Sequence, residues 1–168
     1  AHRGALDQGE LSRYFHLLLN LLLAKRVPKI IAISDFARKD IESGYYVPPD
    51  KIEVIHSGIE KVDDISKKQI DITERFHLSP KKYVFSVGGG RTKNNVLTAK
   101  AVESLHDDDL DFVLAGDVVP EVKDELEQYK HTHLVGRVSN EELAALYKSA
   151  FCYAFPSLSE GWGMPPLE

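Results

Sequence analysis

The residues Tyr83-Val84-Phe85-Ser86-Val87-Gly88-Gly89-Gly90-Arg91-Thr92-Lys93-Asn94-Asn95 decide the fold class. Tyr83 to Val87 is an uncharged run of strand length, as in a strand buried on both faces of a parallel sheet. Three glycines close it, and a helical pattern follows from Asn95 to Leu105. A strand that turns through glycines into a helix is the first half of a βαβ unit. The alternation then continues: strand Phe112 to Ala115, helix Glu121 to Tyr129, strand His133 to Val135, helix Asn140 to Ser149, strand Cys152 to Phe155. Pro120 suits the first turn of one helix, and Ser139 with Glu142 three residues on forms a capping box for another. The expected fold class is α/β, a doubly wound parallel sheet of Rossmann-like kind.

Upstream of this run, Leu11 to Lys25 carries leucines at helical spacing, closes on Lys25-Arg26 and stops at Pro28. Lys29 to Ser34 reads as a short buried strand. Ser34 or Asp35 can cap a helix over Phe36 to Ser43, with Gly44 at its end. Pro48-Pro49 breaks the chain, Lys51 to His56 alternates like a strand, and Ser57-Gly58 turns it. From Glu60 to about Ile72, Asp, Lys and Ser replace large apolar residues, as in an exposed connector. The expected organisation is a first part over 1–59, a linker over 60–72 and the regular α/β part over 73–168.

The 168 residues are 43% hydrophobic and 28% charged, with a formal net charge of −5 and a pI near 5.8. That charge argues against a nucleic-acid surface and in favour of small-molecule partners, with room for a local basic pocket. Cys152 is alone, so no disulfide framework or cysteine metal site forms within the chain, and a reducing, cytoplasmic setting is expected. The richest apolar stretch, Leu17 to Ala24, is interrupted by Asn20 and too short to span a bilayer. The first residues, Ala1-His2-Arg3-Gly4, carry no apolar signal region.

Two segments carry chemistry. In the first, Gly88, Gly89 and Gly90 turn the chain from strand into helix just before Arg91 and Lys93. Glycines let backbone approach an anion, a helix start offers unpaired N–H groups, and two cations add charge-assisted contacts. The segment matches neither the dinucleotide fingerprint nor a P-loop; a flexible turn with solvated cations is the other reading. The second is Phe155-Pro156-Ser157-Leu158-Ser159-Glu160-Gly161-Trp162-Gly163-Met164-Pro165-Pro166-Leu167-Glu168. It follows the last strand, at the sheet edge where open parallel sheets bind ligands. Glu160 and Glu168 stand eight positions apart around a Gly-Trp-Gly turn. Trp162 either stacks on a ligand or packs the loop down. Asp107-Asp108-Asp109 follows a helix and reads as a solvated turn; His131 and His133 share a face with no third metal ligand nearby and read as a surface pair.

The second segment resembles the Glu-x7-Glu signature, with its Glu-Gly-aromatic-Gly-hydrophobic-Pro core, of the retaining glycosyltransferases called group 1 or family 4. Ile31 to Arg38, Val47 to Ile52 and Ile55 to Ile59 resemble the end of that family's N-terminal domain. Val87-Gly88 with Lys93-Asn94, Leu114-Ala115-Gly116 and Leu134 to Leu143 resemble its C-terminal domain, so the likeness runs from about Lys29 to Glu168.

The resemblance implies a GT-B architecture of two facing Rossmann-like domains. Residues 1–59 would be the C-terminal portion of the acceptor-side domain and 73–168 a truncated donor-binding domain, and these 168 residues alone would be an inactive fragment. It implies transfer of a sugar from a nucleoside-diphosphate sugar, most simply a UDP- or GDP-sugar, to a glycan, lipid-linked or small-molecule acceptor. Anomeric configuration would be retained, and no metal or further cofactor is required. Arg91 and Lys93 would grip the diphosphate; in many members the arginine lies further ahead, at the place of Gly88 or Gly89. Glu160 would lie near the sugar, with Gly161, Gly163 and Met164 giving backbone contacts. Glu168 would accept from the ribose hydroxyls, and the base would lie near Arg137-Val138. Such an enzyme would be cytoplasmic, with peripheral contact at the cytoplasmic face of the membrane. A non-catalytic binding module acting with a partner chain is the alternative; a nucleotide-sugar epimerase is disfavoured by the Glu-Gly-Trp-Gly-Met-Pro loop.

Overall fold

The computed structural model describes residues 8–58 and 70–167, with side chains in the first helix from Phe15 onward. Most of the expected linker, and Glu168, lie outside the described residues. The chain divides into two compact units, one ending at Gly58 and the other beginning at residue 59.

In the first unit, helix α1 (Gln8–Arg26) precedes strand β1 (Ile30–Ala32), helix α2 (Asp35–Tyr45) and strand β2 (Ile52–Val54). β1 and β2 pair in parallel, with Ile30 opposite Ile52. Ser34 caps α2, its side chain accepting from the Ala37 N–H, which satisfies one of the helix's orphan donors. Gly44 does not end α2, contrary to the sequence reading. The helix runs through it to Tyr45, and Tyr46 takes the left-handed conformation (φ 52°) instead. The stop comes from Pro48, since the residue before a proline is pushed out of helical space, and Val47 is buried. A small core joins Ala24, Ala32, Val47 and Ile52.

The second unit holds helix α3 (Ile72–Phe76), strand β3 (Tyr83–Gly89), helix α4 (Asn95–Ser104), strand β4 (Asp111–Val118), helix α5 (Pro120–Leu126), strand β5 (Thr132–Gly136), helix α6 (Asn140–Ser149) and strand β6 (Cys152–Tyr153). All four strands are parallel, in the order β5-β4-β3-β6. The apolar strands bury both faces, as the uncharged run at Tyr83 implies. One face packs Tyr83, Phe85, Val113 and Ala115 with Leu146 of α6. The other packs Val84, Phe112 and Leu114 with Ala99 and Val102 of α4 and Val122 and Leu126 of α5. Tyr83 is fully buried and donates its phenol to the Leu146 carbonyl at 2.7 Å. The capping box is present: Glu142 N donates to Ser139 Oγ and Ser139 N to Glu142 Oε2.

Sheet order determines where a ligand can sit. From β3 the chain winds outward through β4 and β5, then crosses back to place β6 on the other side of β3. The winding therefore reverses between β3 and β6, a switch point of the kind at whose carboxyl end open parallel sheets bind ligands. The β4 register shifts between Val87 and Gly89 of β3, and the β5 register shifts between Leu114 and Ala115 of β4. The first lies at the carboxyl end of β3 and the second, midway along β4, at the carboxyl end of β5, where bulges re-aim side chains.

Candidate functional site

The glycine turn after β3 and the loop after β6 meet at this switch point. Residues 91–93 form one 3-10 turn, closed by Asn94 in the left-handed region (φ 56°). Leu158 N donates to the Thr92 carbonyl at 2.8 Å, and Asn94 Nδ2 donates to the Pro156 carbonyl at 3.3 Å. These bonds bring the Lys93 ammonium to Glu160, with Nζ 2.6 Å from Oε1, each side chain 26% exposed. The same ammonium lies 5.6 Å from the centroid of the Phe155 ring, within cation–π range. Phe155 in turn stacks on Tyr153. Lys93, by its hydrogen bond, holds the Glu160 carboxyl below the usual carboxylate range, against the partial burial that would raise it. The Glu160 carboxyl is thus ionised at neutral pH, and the pair, largely shielded from solvent, is framed by two loops.

Each glycine in the turn has its own reason. Gly88 has φ +88°, a conformation side chains resist, and a Cβ on it would reach to 3.4 Å from Lys93 Cε. Gly89 is required by β4, because a Cβ there would press on the Val118 α-carbon and stand 2.6 Å from the Asp117 carbonyl. Gly90 faces open space. Among the expected donor-site glycines, Gly89 is therefore a close-packing glycine, while Gly88 is the one under the lysine. In the other loop Gly163 has φ +72° and faces the Phe155 ring.

The remaining expected residues lie in the segments that follow β3, β5 and β6. Arg91 is 68% exposed and lies 3.7 Å from Glu125 Oε1 on α5, apart from the Lys93–Glu160 pair. Arg137, just past β5, donates from Nε to Asp117 Oδ2 at 2.7 Å, and that hydrogen bond lowers the Asp117 carboxyl. Val138 packs against the core face that holds Leu146. Met164 is exposed, Trp162 half-buried, and Gly161 exposed in the same loop. At the opposite end of the sheet, His131 Nδ1 and His133 Nε2 each lie 3.4 Å from Asp111 Oδ1. Asp109 pairs with Lys82 at 2.8 Å. Among the described residues no group of three or more His, Cys, Asp or Glu is arranged to hold a metal ion, and no helix is long and apolar enough to cross a membrane.

Sequence reasoning missed three participants. Asn95, fully buried, joins Ser86 to the Gly88 carbonyl; Phe155 faces Lys93; Asp117 holds Arg137. A signal existed for the first, since Asn95 shares the inward stripe of α4 with Ala99 and Val102, four and seven positions on.

The geometry defines a doubly wound α/β unit with a Lys93–Glu160 ion pair at its switch point. The chain belongs to the family described as glycosyl transferases group 1, whose match covers residues 68–168, with glycosyltransferase family 4 matching residues 1–61; its fold is GT-B. It is 26% identical over 161 residues to the O-antigen chain mannosyltransferase RfbU of Salmonella typhimurium, covering 92% of this chain and 42% of that protein. The crystal structure of Anabaena Alr3699/HepE in complex with UDP and glucose superposes with a TM-score of 0.67 at 18% identity, over 89% of this chain and 44% of that one. A sucrose-phosphate synthase from Thermosynechococcus elongatus gives 0.68 at 15% identity, over 95% of this chain and 42% of that one. The chain thus spans less than half the length of these proteins.

Proposed function

We propose that the protein transfers a hexose from a nucleoside-diphosphate sugar to a glycan or lipid-linked acceptor, with retention of anomeric configuration. Residues 73–168 serve as the donor-binding domain and residues 1–59 as part of the acceptor-side domain. The observation that carries this reading is the Lys93–Glu160 pair at the switch point between the two loops. Breaking the bond between the sugar and its phosphate leaves an oxocarbenium-like sugar and a diphosphate with an added negative charge. An ammonium at the leaving oxygen stabilises that charge as it develops, and a preorganised one does so without solvent reorganisation. Lys93 is the group so placed, and Arg91 swings from Glu125 to join it. Glu160 lies on the sugar side, with Gly161, Gly163 and Met164 presenting backbone. Arg137 and Val138 flank the base, and Glu168 accepts from the ribose hydroxyls, which suits a carboxylate.

The donor is a UDP- or GDP-sugar, in keeping with the UDP and glucose of the Anabaena structure and the mannosyltransferase name of the Salmonella relative. The reaction uses no metal, serves polysaccharide assembly, and takes place in the cytoplasm, with peripheral contact at the membrane face. The test is to supply UDP-glucose, UDP-galactose and GDP-mannose in chelator with glycan and lipid-linked acceptors, and to read the anomeric configuration of the product by NMR. One donor consumed with its α-configuration kept supports the proposal. An inverted product, or an absolute need for magnesium, contradicts it.

A further inference from the structure

Asn95, the first residue of α4, is 1% exposed. Its amide is engaged at both ends, Nδ2 lying 2.5 Å from the Gly88 carbonyl and Oδ1 2.8 Å from Ser86 Oγ. A carbonyl can only accept, so the nitrogen must face Gly88, and the Ser86 hydroxyl must then donate to Oδ1. An apolar residue would fill this inward position of α4, beside Ala99 and Val102, without the desolvation an amide carries. What the amide adds is a hold on one carbonyl. That carbonyl belongs to the glycine under Lys93: Gly88 adopts φ +88°, and a Cβ on it would lie 3.4, 3.6 and 3.8 Å from Lys93 Cε, Cγ and Cδ. The lysine chain therefore lies across the residue that Asn95 anchors, on its way to Glu160.

We propose that Asn95 is a positioning residue of the donor site: by fixing the Gly88 carbonyl it fixes the surface on which Lys93 lies, and so the place of its ammonium. The proposal rests on the reading of Lys93 as the diphosphate-binding group. Asn95 touches no ligand and acts only through the turn. Ser86 secures the amide from behind, so its loss matters less than that of the Nδ2 donor.

The test is a double-mutant cycle read by calorimetric titration of UDP and GDP, with thermal denaturation of each variant. Asn95→Asp keeps the size and the bond from Ser86 but sets an oxygen against the Gly88 carbonyl. It is expected to weaken nucleotide binding about tenfold, as the loss of a buried hydrogen bond does. In a Lys93→Ala background the same change is expected to have less than about a twofold effect, because coupled residues are not additive. Ser86→Ala leaves the Gly88 bond in place and is expected to stay within about twofold of the parent. If Asn95→Asp does not fold, Asn95→Ser, whose hydroxyl is too short to reach Gly88, carries the same expectations. Equal losses in both backgrounds would mark Asn95 as merely structural and overturn the proposal, as would an Asn95→Asp protein that binds like the parent. A parent protein that binds neither nucleotide would instead sink the donor-site reading, and this inference with it.

Discussion

Glutamine at position 160 is expected to tighten the binding of a bare nucleoside diphosphate while slowing sugar transfer. The Lys93 ammonium stands 2.6 Å from Glu160 Oε1. An anion bound to the same ammonium would therefore lie about 5 Å from the carboxylate, two hydrogen-bond lengths away. At that distance like charges repel by about 0.8 kcal/mol in water and about 3 kcal/mol at an effective dielectric near 20. Both side chains are 26% exposed, which places the value toward the solvent end, about 1 kcal/mol per unit of phosphate charge, or roughly fivefold in Kd. Glutamine keeps an oxygen for Lys93, so the ammonium stays in place and only the repulsion goes. Calorimetric titration of the parent and Glu160→Gln proteins with the preferred nucleoside diphosphate reads this directly. The gain should shrink as salt is raised, and transfer from the intact nucleotide sugar should fall in the same variant. Unchanged or weaker binding at low salt would refute the reasoning, since it would mean that the diphosphate does not meet Lys93.

Other consequences follow from the turn and from the cap. Gly89→Ala would drive its Cβ against the Val118 backbone and the Asp117 carbonyl, with an expected loss of about 2 to 4 kcal/mol in denaturant unfolding. Gly90→Ala meets open space at an ordinary φ of −79° and should stay within about 0.5 kcal/mol of the parent. Glu142 accepts from the Ser139 N–H and from Arg75, which together hold its carboxyl below the usual range. A lowered folded value means that its contribution is complete above the unfolded pKa and lost as the pH falls through the lowered one. Glu142→Gln should therefore destabilise by about 1 kcal/mol at neutral pH, the size of a cap. The difference from the parent should begin to shrink near pH 4, about the unfolded carboxylate value, and close only once the pH falls below the lowered folded value, in thermal melts across that range.

Where local chemistry is self-contained, the sequence shows it plainly. Ser139 and Glu142 set the start of α6 by bonding each other, and Pro120 opens α5 as its fixed φ suggests. The parallel sheet is legible because Tyr83 to Val87 and Phe112 to Ala115 are uncharged and put apolar residues on both faces. Boundaries set by tertiary pairing are not. The apolar run of β4 ends at Ala115, but the strand continues to Val118, where the shifted register returns Val118 opposite Gly89. Helix α3 begins in polar sequence that reads as a linker; its Asp71 cap and the buried Ile72 show only once Leu78 and the α6 face are in place. At the site, the two loops could be named from their glycines and carboxylates, and Lys93 and Glu160 from their residue types. Their meeting at 2.6 Å depends on Leu158 and Asn94 tying loops more than sixty residues apart in sequence, which no local pattern reveals. The role of Gly89 was likewise hidden, because its reason lies on the neighbouring strand.

The most direct test of the donor-site account is calorimetric titration of the protein and of its Lys93→Ala variant with UDP, GDP and ADP in the presence of chelator. The account predicts that one of these nucleotides binds the parent preferentially without magnesium, and that Lys93→Ala weakens it by about 1.5 to 3 kcal/mol, the range for a charged hydrogen bond. Binding left unchanged by Lys93→Ala, or no binding of any nucleotide to the parent, would contradict it.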